Sequence, residues 1–284
     1  MNTILEVKNL GFKYQLADKP IFKNLNFKVN KGEFIGLVGK NGVGKTTLCN
    51  ILRGIIPEFI KGEIRGDVII DGKNLNEYSR GVLAEKIGFV FQNPFIQISG
   101  IKKTVFDEIA FGLENLGIER DEMIERTNKI LKQLKIEYLK DKHPTQLSGG
   151  QSQRVALASV LVMEPEIILV DEPTSQLDPI GTEEVFETLG ILKEQNCTVI
   201  LVEHKIDLIC EYADRVIVMN DGGIVMDGKT DDIMSNPIVE NYGVPMSKVS
   251  KLAYLLSKQN DVVFDKIPTN VDEAINQFRK GLNL

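Results

Sequence analysis

An α/β fold around a mostly parallel sheet follows from three features of the 284-residue sequence. From Ile167 to Met219, short apolar runs of strand length alternate with segments of helical periodicity, the pattern of strands joined by covering helices. Gly39-Lys40-Asn41-Gly42-Val43-Gly44-Lys45-Thr46 matches the phosphate-loop pattern and stands between an apolar strand, Phe34–Val38, and a helical segment, Thr46–Arg53. A second apolar strand, Ile167–Val170, runs into two acids, Asp171 and Glu172, at the strand end where such sheets place their ligands.

The other elements follow in order. Ile4–Lys8 and Asn26–Val29 alternate apolar and polar residues, as half-buried antiparallel strands do. The helix after the phosphate loop stops near Gly54 and Pro57, and the polar, glycine-punctuated stretch Glu58–Gly66 reads as a surface loop. Asp67–Ile70 and Ile87–Phe91 read as strands. Thr104 caps a helix carrying Val105, Ile109, Leu113 and Leu116, with Asp107 in its favourable first turn. A second helix spans about Asp121–Leu134, and this pair interrupts the β/α alternation as an inserted helical subdomain. Arg154–Met163, Thr182–Glu194 and Ile206–Tyr212 read as helices, and Thr198–Val202 and Val216–Met219 as strands. Asp221-Gly222-Gly223 is a hairpin turn signal. Lys248–Ser257 and Val271–Arg279 read as short helices of a C-terminal appendage. The expected organisation is a nucleotide-binding domain over residues 1–236, with its helical subdomain at about 93–163, and an appendage over 237–284.

Composition bounds the function. A hydrophobic fraction of 43% suits one large core with a small appendage. A net charge of −6 argues against a nucleic-acid partner. No apolar stretch approaches the roughly 18 residues that cross a bilayer, and the N-terminus lacks a basic, then apolar, leader. A cytosolic protein that meets a membrane only through a partner is expected. Cys49, Cys197 and Cys210 are far apart and read as buried, reduced thiols.

The chemistry-bearing residues point to a nucleotide's phosphates and Mg²⁺. Gly39, Gly42 and Gly44 let the amides of Lys40, Asn41, Val43 and their neighbours converge on phosphates, and the helix opening at Lys45, Thr46 and Thr47 adds its partial positive charge. Lys45 neutralises phosphate charge and Thr46 is a Mg²⁺ ligand. Asp171 orients Mg²⁺, directly or through water, and Glu172 is placed to take a proton from the attacking water. Leu147-Ser148-Gly149-Gly150-Gln151 opens the next helix as a second anion-binding start. One triphosphate does not need two such sites on one chain. The segment is therefore read as capping the γ-phosphate held by a neighbour's Lys45 loop, the alternative being a plain Ser-capped helix start.

This ordered trio resembles the ATP-binding cassette (ABC) ATPases, P-loop NTPases with an antiparallel β subdomain beside the parallel core, and the resemblance covers about Ile4–Asp232. It implies that two copies close face to face over ATP. By the same resemblance Gln92 touches Mg²⁺ and the attacking water. Ser175-Gln176-Leu177-Asp178 couples the two sites, with Gln176 where the family usually has Ala. His204 contacts the γ-phosphate. Tyr14 stacks on adenine, with Phe12 as its competitor.

Phe91-Gln92-Asn93-Pro94, Phe111–Asn115, Leu157–Leu161 with Met163-Glu164-Pro165, and Asp171–Pro179 with Gly181 resemble the ATPases of energy-coupling-factor importers of vitamins and metal ions. That resemblance implies three partners at the cytoplasmic face of the membrane: a second ATPase of the same or a homologous chain, a transmembrane coupling protein and a small substrate-binding membrane protein. Phe95 stands where such ATPases carry an acid that meets an arginine of the coupling helices. Phe95, Ile96 and Ile98 either line the groove for those helices or pack under the helical subdomain. The alternative function is a soluble ABC clamp on nucleic acid or the ribosome. Against it stand the acidic balance, the single cassette and an interval between phosphate loop and Ser148 too short for a long coiled coil.

Overall fold

A computed structural model describes residues 2–259 and 264–281. In chain order the strands and helices are β1 (Thr3–Tyr14), β2 (Phe22–Asn30), β3 (Phe34–Val38), α1 (Lys45–Leu52), β4 (Gly62–Ile70), β5 (Lys73–Asn74), α2 (Arg80–Lys86), β6 (Ile87–Val90), α3 (Pro94–Gln97), α4 (Val105–Asn115), α5 (Arg120–Gln133), α6 (Gly149–Leu161), β7 (Ile167–Asp171), α7 (Pro179–Glu194), β8 (Thr198–Val202), α8 (Ile206–Tyr212), β9 (Arg215–Asn220), β10 (Gly223–Lys229), α9 (Thr230–Met234), α10 (Lys248–Lys258) and α11 (Val271–Gly281). They form two compact units. One comprises residues up to Asn74 and those from Val202 on, the other Leu75–Leu201.

The first unit holds an antiparallel sheet ordered β2-β1-β4-β5. Alternation holds from Leu5 on: Leu5, Val7, Leu25, Phe27 and Val29 are buried and pair as Leu5↔Val29 and Val7↔Phe27, while Ile4, at a register shift between Thr3 and Leu5, is buried as well. Each such side chain removed from water stabilises the unit by about 1.5–3 kcal/mol. β3 is buried at all five residues and lies parallel to β9, from Ile35↔Arg215 to Val38↔Val218. A strand buried on both faces reads as a continuous apolar run, which Phe-Ile-Gly-Leu-Val is. α1, which follows the loop after β3, buries Leu48, Cys49, Ile51 and Leu52.

Glu58–Gly66 corrects the sequence reading. β4 begins at Gly62, and its polar half pairs with the end of β1 as Tyr14↔Gly62, Lys13↔Glu63 and Phe12↔Ile64. A Cβ on Gly62 would lie 2.5 Å from the Lys13 carbonyl oxygen, so the glycine that suggested a loop permits close strand pairing. Pairing to an existing strand overrode local composition.

The appendage is fastened to α9 by polar contacts. Asp231 accepts from Thr269 Oγ1 at 2.7 Å and Lys266 Nζ at 2.9 Å, and within the appendage Ser247 Oγ donates to the Thr269 carbonyl at 2.8 Å. Desolvation pushes the Asp231 carboxyl up, but the bonds from Lys266 and Thr269 outweigh it and hold it below its ordinary value. Desolvation likewise opposes the Lys266 ammonium, and Asp231 outweighs it and raises the pKa. A lowered carboxyl contributes stability above its unfolded value of about 3.9 and loses it as pH falls. A raised ammonium contributes below about 10.4 and loses it as pH rises. Asp231→Asn is therefore expected to cost up to about 1 kcal/mol at pH 7, and less at pH 3.5. Thermal melts at the two pH values check it, and an equal cost at both would contradict it.

In the second unit the strands run in the order β8-β7-β6, with β6 parallel to β7 from Ile87↔Ile167 to Val90↔Val170. β7 and β8 are fully buried. α6 is buried nearly all round, the mark of a central helix, and α4 and α7 both pack against it. Gly150 makes the close approach to α7 possible, because a Cβ there would lie 2.7 Å from Gly181 Cα. Arg154 NH2 donates to the Leu134 carbonyl at 2.7 Å, satisfying the C-terminal end of α5.

Candidate functional site

The phosphate-loop residues gather in the first unit, between β3 and α1. Gly39 (φ +150°) passes so close to β9 that a Cβ would lie 2.4 Å from the Met219 carbonyl oxygen. Gly44 (φ +107°) is the N-cap of α1 and faces the Phe22 ring, 2.5 Å from where a Cβ would be. Neither backbone suits a residue with a side chain. Lys45 is 5% exposed, and its Nζ donates to the carbonyls of Gly39 at 2.8 Å and Lys40 at 3.1 Å. Its ammonium is thus held inside the loop it closes. Lys40, Asn41, Gly42 and Thr46 are exposed, Val43 is half-buried, and Thr47 is buried. Thr47 Oγ1 hydrogen-bonds the Tyr14 hydroxyl at 2.8 Å, which ties the aromatic to this helix start.

Tyr14 is half-buried while Phe12 is only 1% exposed, so of the two aromatics Tyr14 is the accessible one. The rings meet edge to face with centroids 4.8 Å apart. His204 is exposed just past the end of β8. Its backbone N–H donates to Glu203 Oε1 at 2.8 Å, and the Lys205 N–H donates to the same oxygen at 3.2 Å. Glu203 is 2% exposed and was not singled out from the sequence. Its signal was a carboxylate directly behind an apolar strand, where an unpaired charge is costly and a turn of backbone amides satisfies it.

The second unit brings Gln92 to Glu172. Asp171 completes β7 and is 6% exposed. Glu172 leaves the strand in a left-handed conformation (φ +47°), uncommon for a residue with a side chain. Gln92 Nε2 donates to Glu172 Oε2 at 3.3 Å. The two side chains that the sequence assigned to the attacking water are therefore in hydrogen-bond contact, although 80 residues apart.

The Ser148 segment is a capping box. The Gln151 N–H donates to Ser148 Oγ and the Ser148 N–H to Gln151 Oε1, both at 3.3 Å. Ser148 is exposed, Gly149 and Gln151 are half-buried, and Gly150 is buried against α7. Asp178 caps α7, its Oδ1 accepting from the Gly181 N–H at 2.7 Å. The N-termini of α6 and α7 lie side by side, since a Cβ on Gly149 would touch Leu177 at 3.1 Å. Among the described residues no group of three or more His, Cys, Asp or Glu could hold a metal ion. A phosphate-bound Mg²⁺ does not need one, because it takes one or two protein oxygens and completes its shell from phosphate and water. The Thr46 hydroxyl and the Asp171 carboxylate are oxygen donors of that hard type.

Comparison with known proteins identifies the family. The ABC transporter family matches residues 22–175. The energy-coupling factor transporter ATP-binding protein EcfA1 of Oenococcus oeni is 43% identical over 282 residues, covering 99% of this chain and 96% of that protein. CbiO1 from Clostridium perfringens, part of the ABC transporter complex cbiONQ, superposes with a TM-score of 0.76 at 33% identity, covering 90% of this chain and all of that one. The ATP-binding cassette MJ0796, as a dimer bound to ADP and phosphate after hydrolysis, gives a TM-score of 0.66 at 31% identity over 80% of this chain and 99% of that one. These relatives do not favour the soluble clamp. The chain belongs to the ABC transporter family, as an ATP-binding and ATP-hydrolysing subunit of the energy-coupling-factor-like kind.

Proposed function

We propose that this ATPase powers an importer for a micronutrient such as a vitamin or metal ion, by closing with a second ATPase subunit over ATP. The observation that carries the reading is the pairing of Gln92 with Glu172 in a chain that also holds the Lys45 loop and an exposed Ser148 helix start. Residues Gly39 to Thr47 bind the phosphates, and Tyr14 stacks on the base. Thr46, Gln92 and Asp171 serve Mg²⁺, which supplies charge neutralisation at the phosphates when bound. Glu172 accepts the proton of the attacking water and Gln92 orients that water. His204 meets the γ-phosphate. Ser148, Gly149, Gly150 and Gln151 cover the γ-phosphate of the partner subunit, and Asp178 links the two sites.

Among the described residues no helix is long and apolar enough to cross a membrane. In our reading a transmembrane coupling protein carries the work into the membrane, a small membrane protein chooses the substrate, and the ATPase acts at the cytoplasmic face, as the likeness to EcfA1 and CbiO1 supports. α3 is our docking surface. Phe95 and Ile96 are 63% and 69% exposed, which favours a groove-lining role over packing under the helical subdomain, while Ile98 is half-buried. Phe95 in the usual place of an acid makes this contact apolar rather than a salt bridge. Affinity purification of the tagged chain in mild detergent is expected to recover both membrane proteins, and Phe95→Asp to recover less of the coupling protein at unchanged ATP affinity. Recovery of ribosomal or DNA-bound proteins alone would overturn the reading.

A further inference from the structure

Gln97, the last residue of α3, has its side chain committed on both sides. Its Oε1 accepts from the Phe91 N–H at 3.1 Å, and its Nε2 donates to the Ala156 carbonyl of α6 at 2.8 Å. From α6, Gln153 Nε2 donates back to the Phe91 carbonyl at 3.1 Å. Both backbone groups of Phe91 are therefore held by carboxamides that lead to α6, and Gln153 is fully buried. Phe91 is the residue directly before Gln92, and α6 is the helix capped by Ser148. Further on, the buried Glu108 of α4 accepts from the Ser99 N–H at 2.6 Å and the Ser99 hydroxyl at 2.8 Å. The segment is thus pinned at Phe91, at Gln97 and at Ser99, and the exposed Phe95 and Ile96 lie between the first two pins.

We infer that Gln97 is a positioning residue that makes the Gln92 turn and α6 move as one piece. A push on Phe95 and Ile96 is then passed at once to Gln92, and so to its contact with Glu172, and to the helix start at Ser148. Without the Gln97 bridge, α3 tilts without carrying either. The inference rests on the roles assigned above to Gln92 and Ser148. It concerns alignment rather than nucleotide affinity, since the phosphate loop belongs to the other unit.

Gln97→Met tests it in the full chain. Methionine keeps the length of the side chain but neither hydrogen bond. It is expected to lower kcat roughly tenfold, with KM for MgATP changed less than about twofold, and to speed exchange of the Phe91 amide about tenfold or more while the β6–β7 ladder amides keep their protection. Gln97→Glu keeps the acceptor for Phe91 and loses the donor to Ala156, so it is expected to retain Phe91 protection and still lose turnover. Wild-type kcat and Phe91 protection in Gln97→Met would overturn the inference, because a packing role is preserved by methionine. If Gln97→Met does not fold, wild-type kcat in Gln97→Glu would overturn it. Lys45→Ala separates the two levels. If that variant hydrolyses ATP normally, the site reading fails. If it is dead and Gln97→Met is normal, only the bridge fails.

Discussion

Lys45→Ala is expected to lower ATP turnover by about 10²–10³-fold and to weaken ATP binding by roughly 10–100-fold. Lys45 is the one cation held inside the Gly39–Thr46 loop, with its ammonium on the Gly39 and Lys40 carbonyls and 5% exposure. An ammonium in that position serves phosphate oxygens brought against the loop, and alanine removes both the charge and the donors. The loop glycines keep their backbone geometry without it, because Gly39 and Gly44 are set by contacts with Met219 and Phe22. Melting temperature is therefore expected to change little. Steady-state turnover and equilibrium binding of a fluorescent ATP analogue check both numbers, and wild-type turnover would refute the assignment of the site.

How much of this was legible in the sequence depends on whether local chemistry or distant pairing decided each element. The phosphate loop and the β7 acids were readable because their glycines, charges and apolar strands sit within a dozen residues of each other. Ser148 was readable as a cap because the capping box is local. Tyr14 against Phe12 was not settled by sequence. Which ring the sheet buries depends on strand pairing, and Phe12 is the buried one. The start of β4 was misread because Gly62 pairs with Tyr14, some fifty residues earlier, and composition does not encode a partner strand. The contacts of Gln97, Gln153, Glu108 and Glu203 were missed for a related reason. A buried polar side chain looks like any surface glutamine or glutamate until the helix beside it is known. The one available hint was polarity at core positions, as at Gln153 two residues before the mostly apolar run Val155–Val162. The tie of Asp231 to Lys266 and Thr269 joins α9 to the segment before α11 and had no sequence signal at all.

The second large effect concerns Glu172. Glu172→Gln is expected to slow hydrolysis by about 10²–10⁴-fold, the usual worth of a general base, while ATP still binds, because the phosphate loop is untouched. With hydrolysis blocked, the proposed ATP-closed pair is expected to accumulate. In the proposed pair the Asn41 loop of one copy would face Ser148 of the other, and both residues are exposed in the single chain. The native thiols compete poorly for cross-linking. Cys49 and Cys210 are buried, and burial, with Asp207 and Asp231 nearby, pushes the Cys210 thiol up to about 12; burial also raises Cys197. The decisive measurement mixes Glu172→Gln chains carrying Asn41→Cys with Glu172→Gln chains carrying Ser148→Cys, under mild oxidation with and without ATP. An ATP-dependent disulfide-linked dimer is the expected result. A mixture that binds ATP yet gives no cross-link, or the same cross-link without ATP, would contradict a site closed between two copies.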